Sequence, residues 1–412
     1  MTPIDVCLIT PGHLASTPRL VKEATALRAR GYQVYVVSSD HFAPNRPLDQ
    51  EILAEARWTS LRIAPPAGFT AKVLQKLRRG LCQRLFRAGL RSESIATHAL
   101  FAAHDCFVET ALRRPARLYL AHGLPGLCIA AEAARRSGGL LGFDAEDWHS
   151  EEQTEAQMPT GEKALRRHLE KLLLPRCRHL TAASPLIAEA YAPLAKVAPL
   201  TVLNVFPLEE APATPPPHAQ RSHSLYWFSQ TIGSGRGLEE ILRAMPLLPT
   251  EWTLHLRGIP EAGFPEHFLR LAATLGLEER IHWLNTASPS EMSRLASAHR
   301  IGLSVESETP PNRAACLTNK LFTYLLAGTP TLLSDTPAHR AIAPALGLAA
   351  QLASLNDPQA LAAAITALDT QASCDEAWRL GQTRYTWTLE IHAFLTHIAK
   401  TLNSPDAHPP HR

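Results

Sequence analysis

The sequence predicts an α/β protein built of two doubly wound, Rossmann-like domains facing across a cleft. Three observations carry this expectation. Short apolar runs of strand length alternate with amphipathic helical stretches from the first residues onward. The alternation breaks once, in a proline-rich segment over 207–224, and then restarts. The chain has 412 residues, more than one hydrophobic core usually supports.

The elements follow in order. IDVCLIT reads as a buried strand, PRLVKEATALRARG as an amphipathic helix ending at a C-cap glycine, and YQVYVVSS as a second strand. RLYLAH, GLLGFDA, HLTAAS and LTVLNV are the later strands of this half, separated by helical stretches. Such alternation marks a parallel sheet covered on both faces. PLEEAPATPPPHAQRSHS is rich in proline and poor in large apolar residues, a linker composition. The rhythm resumes with LYWFS, WTLHLRG, RIHWLN, RIGLSVE and TPTLLSD. TNKLFTYLLAGTP, over 318–330, is a helix that breaks sharply at Gly328 into that last strand. The expected organisation is a first domain over 1–206, a linker over 207–224, a second domain over 225–383, a returning helix over 384–402 and a disordered tail over 403–412.

Composition excludes several classes. The chain is 45% hydrophobic and 19% charged, as a globular protein is, and a net charge of +3 is too small to indicate a nucleic-acid binder. Seven cysteines with no C-x-x-C suggest reduced thiols in a cytosolic compartment. MTPIDVCLITPGH lacks the basic and apolar regions of a signal peptide, and no apolar run approaches the roughly 20 residues that span a bilayer. The expectation is a cytoplasmic protein, with peripheral contact at the inner face of the membrane left open.

In open parallel sheets, ligands bind beyond the carboxyl ends of strands, so the loops after strands are where chemistry is sought. The loop QTIGSGRGLEE, over 230–240, follows the first strand of the second half. Gly233, Gly235 and Gly237 let backbone approach a ligand, the helix starting near Leu238 offers amides, and Arg236 suits phosphate oxygens. The competing reading is a flexible turn with a solvated arginine. The loop is neither a G-x-G-x-x-G fingerprint nor a P-loop. In ESETPPNRAACLTNK, Glu306 and Glu308 follow a strand, while Asn319 and Lys320 open the next helix. A carboxylate accepts from ribose hydroxyls and a lysine neutralises phosphate, unless these are only an acidic loop and a capped helix. His122 ends the strand RLYLAH, where it can meet a sugar hydroxyl or serve the structure alone. The acids of DAEDWHSEE, over 144–152, read as a helix N-terminus rather than metal ligands.

Taken together, IDVCLITPGHLASTPRLVKEATALRARGYQVYVVS, RLYLAHGLPGL, GLLGFDAEDWHSEE, QTIGSGRGLEEIL, NKLFTYLLAGTP and RYTWTLE resemble bacterial glycosyltransferases of the GT-B fold, in the large retaining family that uses nucleotide-diphosphate sugars. The resemblance covers nearly the whole chain in order. It implies a donor held mainly by the second domain, a glycan or lipid-linked acceptor by the first, and a diphosphate neutralised by protein cations and helix amides, with no metal and no cofactor. Gly12 matches the glycine of the first loop, so Gly12, His13 and Arg19 form the expected acceptor side. His122 matches the histidine beside the donor sugar, and Arg236 stands where the family has a lysine. Two departures are visible: the loop begins with Gln230 where many members carry an arginine, and Thr323 stands where a ribose-binding glutamate is usual. The implied catalytic set is His122, Arg236 and Lys320. Gly233, Gly235, Gly237, Glu306, Glu308, Asn319 and Thr323 would bind donor. A nucleotide-sugar epimerase and a non-catalytic binding module of the same fold are the rivals.

AKVLQKLRRGLCQRLFRAGLR, over 71–91, carries seven basic residues and no acid, with Leu74, Leu77, Leu81, Leu85 and Ala88 on one helical face. It reads either as a surface helix docked on the protein or as an element attracted to anionic lipid.

Overall fold

A computed structural model describes residues 4–64 and 68–404, so the expected tail lies, from 405 onward, outside the described residues. Two compact units divide the chain, one formed by Met1–Val202 with Ile391–Arg412 and the other by Leu203–Glu390. In chain order the strands are β1 (Ile4–Ile9), β2 (Val34–Ser39), β3 (Thr59–Ile63), β4 (Ala116–His122), β5 (Leu140–Ala145), β6 (His179–Ala182) and β7 (Leu200–Thr201) in the first unit. The second holds β8 (Ser222–Ile232), β9 (Thr253–Pro260), β10 (Ile281–Leu284), β11 (His299–Ser304), β12 (Thr331–Ser334) and β13 (Ala350–Ala353).

Both sheets are parallel, with orders β3-β2-β1-β4-β5-β6-β7 and β10-β9-β8-β11-β12-β13. Each order reverses direction once, between β1 and β4 in the first sheet and between β8 and β11 in the second. Loops leaving the carboxyl ends of those pairs diverge and leave a crevice. Val6, Leu8, Ile9, Leu118 and Leu120 are fully buried, which is why the central strands read as apolar runs without alternation. In the second unit Leu225, Trp227, Leu254, Leu256, Ile301 and Leu303 share one core.

The differences from the sequence reading lie at edges. β3 and β13 are edge strands whose sequences, TSLRI and AQLA, carry too few large apolar residues to stand out. LTVLNV contributes only Leu200–Thr201 to pairing. The segment over 207–224 is not a free linker. It counts with the second unit, makes two short helical turns, and is held by the Arg221 guanidinium, which donates to the Pro216 carbonyl at 3.0 Å and to Thr329 Oγ1 at 3.1 Å. The last helix, Trp387–Leu402, starts in the second unit and from Ile391 counts with the first.

The corner after helix Asn319–Leu326 has a specific cause. Gly328 takes φ 65°, a left-handed conformation that a Cβ disfavours. The Thr329 amide donates to the Tyr324 carbonyl at 2.8 Å and the Gly328 amide to Leu325 at 3.0 Å, the paired bonds of a Schellman stop. Pro330 then lies outside the helix, and β12 begins at once.

Candidate active site

The second unit gathers charge at its switch point. β8 ends at Ile232 and releases the glycine loop, and β11 ends at Ser304 and releases the loop carrying Glu306. The loops touch because glycine permits it. Gly237 has φ 75°, and a Cβ there would lie 3.1 Å from the Cβ of Val305. Gly233 lies under the Glu261 carboxylate, where a Cβ would meet Oε2 at 2.2 Å. Gly235, at φ 70°, offers its carbonyl to Arg313 Nη1 at 2.5 Å.

Arg313 lies on the short helix Pro311–Ala315 and is half-buried. Burial lowers its pKa, and the neighbouring charge of Arg236 lowers it further. Arg236 itself has no hydrogen bond or ion pair with any described residue, yet its charge acts on both Arg313 and Glu306. Two guanidiniums whose charges act on one another thus flank the glycine loop, only one of them bonded.

Lys320 and Glu306 form a pair. Nζ donates to Oε1 at 2.9 Å, the side chains are 6% and 3% exposed, and the ammonium lies 5.4 Å from the Trp227 ring centroid. Burial would raise the Glu306 pKa, but Lys320, with Arg236 and Arg313 behind it, holds it below the usual carboxylate range. The remaining expected donor residues fall unevenly. Asn319 is exposed at the helix start, and Glu308 is exposed and paired with Arg340 at 3.2 Å. Thr323, one turn after Lys320, is 2% exposed and its hydroxyl has no partner among the described residues. Lys320 is therefore no free phosphate cation, and Thr323 is buried rather than displayed to a ligand.

The first unit holds a second cluster beneath its own switch point. His122, at the end of β4, is 1% exposed. Its Nε2 lies 3.2 Å from Glu23 Oε2, although the angle is poor for a hydrogen bond, and Nδ1 lies 3.2 Å from Glu146 Oε1 and 3.5 Å from Asp144 Oδ2. Burial alone would lower the His122 pKa; the charges of Glu23 and Asp144 and the contact with Glu146 outweigh it and raise the pKa to about 10. Arg19, from helix Pro18–Ala29, grips both Asp144 oxygens at 2.5 and 2.9 Å and donates to the Val202 carbonyl at 2.7 Å. Thr181 also donates to Asp144. Burial opposes ionisation of Asp144, but Arg19 and His122 hold its pKa down to about 2, while burial and Asp144 push Glu23 up.

This geometry corrects the expected acceptor side. Arg19 has no exposed surface and its guanidinium is fully engaged, so it cannot face an acceptor. His13 is likewise buried: Nε2 accepts the Phe42 amide at 2.8 Å, which leaves Nδ1 to donate to Asp49 at 2.6 Å. Gly12 alone keeps partial exposure, in a turn where its amide donates to Thr10 Oγ1 at 3.1 Å. The acids of 144–152 correct another expectation. Rather than capping a helix, Glu151 pairs with Lys163 at 2.8 Å and Glu152 with Arg166 at 2.8 Å, both on helix Glu162–Leu173.

Among the described residues, two side-chain groups have the composition of a cation site, Glu23 with His122 and Asp144, and His98 with His104 and Asp105. In each a guanidinium already supplies the positive charge. Arg19 holds Asp144, and Arg78 reaches Asp105 Oδ2 at 2.5 Å and His98 Nε2 at 2.7 Å. Neither group fits a resident metal without displacing that arginine.

Two doubly wound parallel-sheet domains define the GT-B fold, and solved structures of that fold share this chain's architecture. The Anabaena protein Alr3699/HepE, in complex with UDP, superposes with TM-score 0.70 at 15% identity, covering 96% of this chain and 100% of its own. Sucrose-phosphate synthase from Thermosynechococcus elongatus gives TM-score 0.70 at 13% identity over 96% of this chain and 98% of its own. A putative UDP-N-acetylglucosamine 2-epimerase from Listeria monocytogenes gives 0.58 at 14% over 100% and 99%. No family model matches the sequence, and no curated protein matches it. At these identities the likeness establishes the fold.

The sequence marks neither Arg313 nor Glu23, and it reads Asp144 only as one of the acids of a helix N-terminus. Arg313 stood within a quoted loop, but nothing local marks an arginine whose partners come from another strand end. Glu23 looked like one more charge on an amphipathic helix.

Proposed function

We propose that the protein is a glycosyltransferase that moves a sugar from a nucleotide-diphosphate sugar to a glycan, lipid-linked or other acceptor, with retention. The observation that carries this is the pair of guanidiniums, Arg236 and Arg313, at the switch point of the second sheet. Like charges brought together with one of them unbonded call for an anion between them, and a diphosphate supplies it. One solved neighbour, Anabaena HepE, has been seen with UDP, with UDP and glucose, and with UDP-glucose, which favours a uridine nucleotide as donor.

In this reading the acceptor hydroxyl oxygen bonds to the anomeric carbon while that carbon's bond to the diphosphate oxygen breaks. The bonding pair leaves with the diphosphate, which also takes the hydroxyl proton. Arg236, Arg313 and the 233–237 backbone stabilise the charge that develops there. The Lys320–Glu306 pair adds a fixed dipole rather than a free cation. Glu308 and Asn319 are the exposed polar groups left for the nucleoside or sugar. His122, held charged by Glu23 and Asp144, positions the backbone after β4 instead of contacting the sugar directly. No metal is needed where arginines carry the neutralising charge.

Calorimetry with UDP and UDP-sugars tests the donor site, and product analysis with and without acceptor tests the reaction. Sugar conversion without acceptor would support the epimerase reading, which the Listeria neighbour keeps in view. Absence of any nucleotide binding would leave a binding module.

A further inference from the structure

A helix laid on a protein body ordinarily buries its apolar stripe and leaves its polar face in water. Helix Phe69–Arg87 does the reverse. Toward the body it turns Phe86 together with half-buried Gln75, Arg79, Cys82, Gln83 and Leu85, a mixed face with three polar side chains. Arg79 Nε and Gln83 Nε2 both donate to the Ala99 carbonyl at 3.2 Å. Away from the body, Phe69 is 82% exposed, Leu74 67%, Leu77 65% and Leu81 56%. Phe69, Val73, Leu77 and Leu81 recur at every fourth position and Leu74 lies beside them, so they form one continuous row on the solvent side. Leu74, Leu77 and Leu81 therefore do not dock the helix, whereas Leu85, farther along, is half-buried against the domain.

The helix's own charges are of one sign, and of the carboxylates on neighbouring elements Asp105 reaches it, pairing with Arg78 at 2.5 Å. No carboxylate occurs over 69–92, while Lys72, Lys76, Arg84 and Arg87 are exposed along the same helix. A second copy of the helix would set like charges against like, which argues against self-association through this row. The helix is also too charged to cross a bilayer, and no described helix is long and apolar enough to do so. An apolar row rimmed by cations matches the boundary between acyl chains and anionic headgroups, where leucines enter the hydrocarbon and ammonium and guanidinium groups meet phosphate.

We infer that helix Phe69–Arg87 is an interfacial membrane helix, lying flat on anionic lipid with Phe69, Leu74, Leu77 and Leu81 inserted and its mixed face fastened to the domain. The inference stands apart from the glycosyl-transfer reading, although a lipid-linked acceptor would be met at such a surface.

The test is flotation of the full chain with phosphatidylcholine vesicles, with and without phosphatidylglycerol, at low and high salt. Binding should require phosphatidylglycerol and weaken as salt screens the headgroups. The variant L74S/L77S/L81S should lose roughly tenfold or more of its vesicle partitioning. Its thermal midpoint should hold, since these side chains contact solvent in the folded protein. K72Q/K76Q/R84Q should lose the preference for anionic vesicles while keeping residual binding; Arg79 is spared because it fastens the helix. No binding of the wild type at low salt would overturn the inference, as would full binding by the serine variant. Self-association abolished by the serine substitutions, without vesicle binding, would assign the row to a second copy and overturn it equally.

Discussion

Replacing Arg236 by alanine separates a ligand-binding arginine from a structural one. In the folded protein Arg236 has no bonded partner among the described residues, and its charge acts against Arg313 and in favour of ionised Glu306. Its removal deletes no hydrogen bond or ion pair with a described residue, and the repulsion of Arg313 that it relieves is offset by the attraction to Glu306 that it loses, so unfolding free energy should stay within about 0.5 kcal/mol of wild type. Binding should behave differently. A hydrogen bond to a charged group contributes about 1.5–3 kcal/mol, so UDP affinity should fall roughly 10- to 150-fold. Uridine, with no phosphate to lose, should bind both proteins equally, and UMP should lie between. Arg313→Ala gives the contrast, because it also deletes the bond to the Gly235 carbonyl. It should weaken UDP similarly and lower the thermal midpoint as well. Isothermal titration with UDP, UMP and uridine, paired with denaturant melts, reads all of these quantities. An equal loss for uridine and UDP, or a large stability loss in Arg236→Ala, would refute the assignment of the guanidinium pair to phosphate.

Glu306→Gln leaves the Lys320 ammonium buried and unpaired, a change that should cost about 3–5 kcal/mol in denaturant unfolding and be largely recovered in Glu306→Gln/Lys320→Met. Because the folded pKa of Glu306 is depressed, its contribution is present above the unfolded value of about 4.3 and disappears as pH falls through the folded value, so wild type and Glu306→Gln should converge in acid. His122 follows the opposite sign. Its folded pKa is raised to about 10, so its contribution is complete below the unfolded value of about 6.5 and is lost as pH rises toward 10. The stability gap between wild type and His122→Gln should narrow over that window; a constant gap from pH 6 to 10 would mean that His122 acts through shape alone. Turnover with a UDP-sugar should survive exhaustive chelation, and rescue of a chelated enzyme by magnesium or manganese would return the acids of 144–152 to consideration.

The fold was legible because both sheets are buried on both faces. Runs such as IDVCLI and RIGLS must be apolar throughout when helices cover each side, and such runs survive in a single sequence. Edge strands β3 and β13 escaped because half-exposed positions tolerate polar residues. The glycine loop was legible for a related reason: positive φ at Gly235 and Gly237 is a backbone requirement that only glycine meets cheaply. Charged side chains were harder to place. Arg19, with no exposed surface, and Phe69, which is 82% exposed, both contradict the residue-type expectation, because each position is decided by partners distant in sequence. Arg19 can be buried charged because Asp144, 125 residues away, takes it bidentately.

The same distinction explains the helix that lacks its expected glutamate. Thr323 lies one turn beyond Lys320 on a fully buried face, and its hydroxyl has no partner among the described residues. In sequence terms the helix is short of a carboxylate. In space, Lys320 already has one, Glu306, arriving from the carboxyl end of β11 at 2.9 Å. A glutamate at 323, three residues along the same face, would compete with Glu306 for one ammonium and leave a second buried carboxylate unneutralised, a cost of several kcal/mol. Threonine at 323 and glutamate at 306 are therefore compatible choices, since the one carboxylate that Lys320 pairs with comes from the neighbouring loop. Residue types on one element indicate which charges a buried site requires, whereas the element that delivers each charge is fixed only by the order of strands in the sheet.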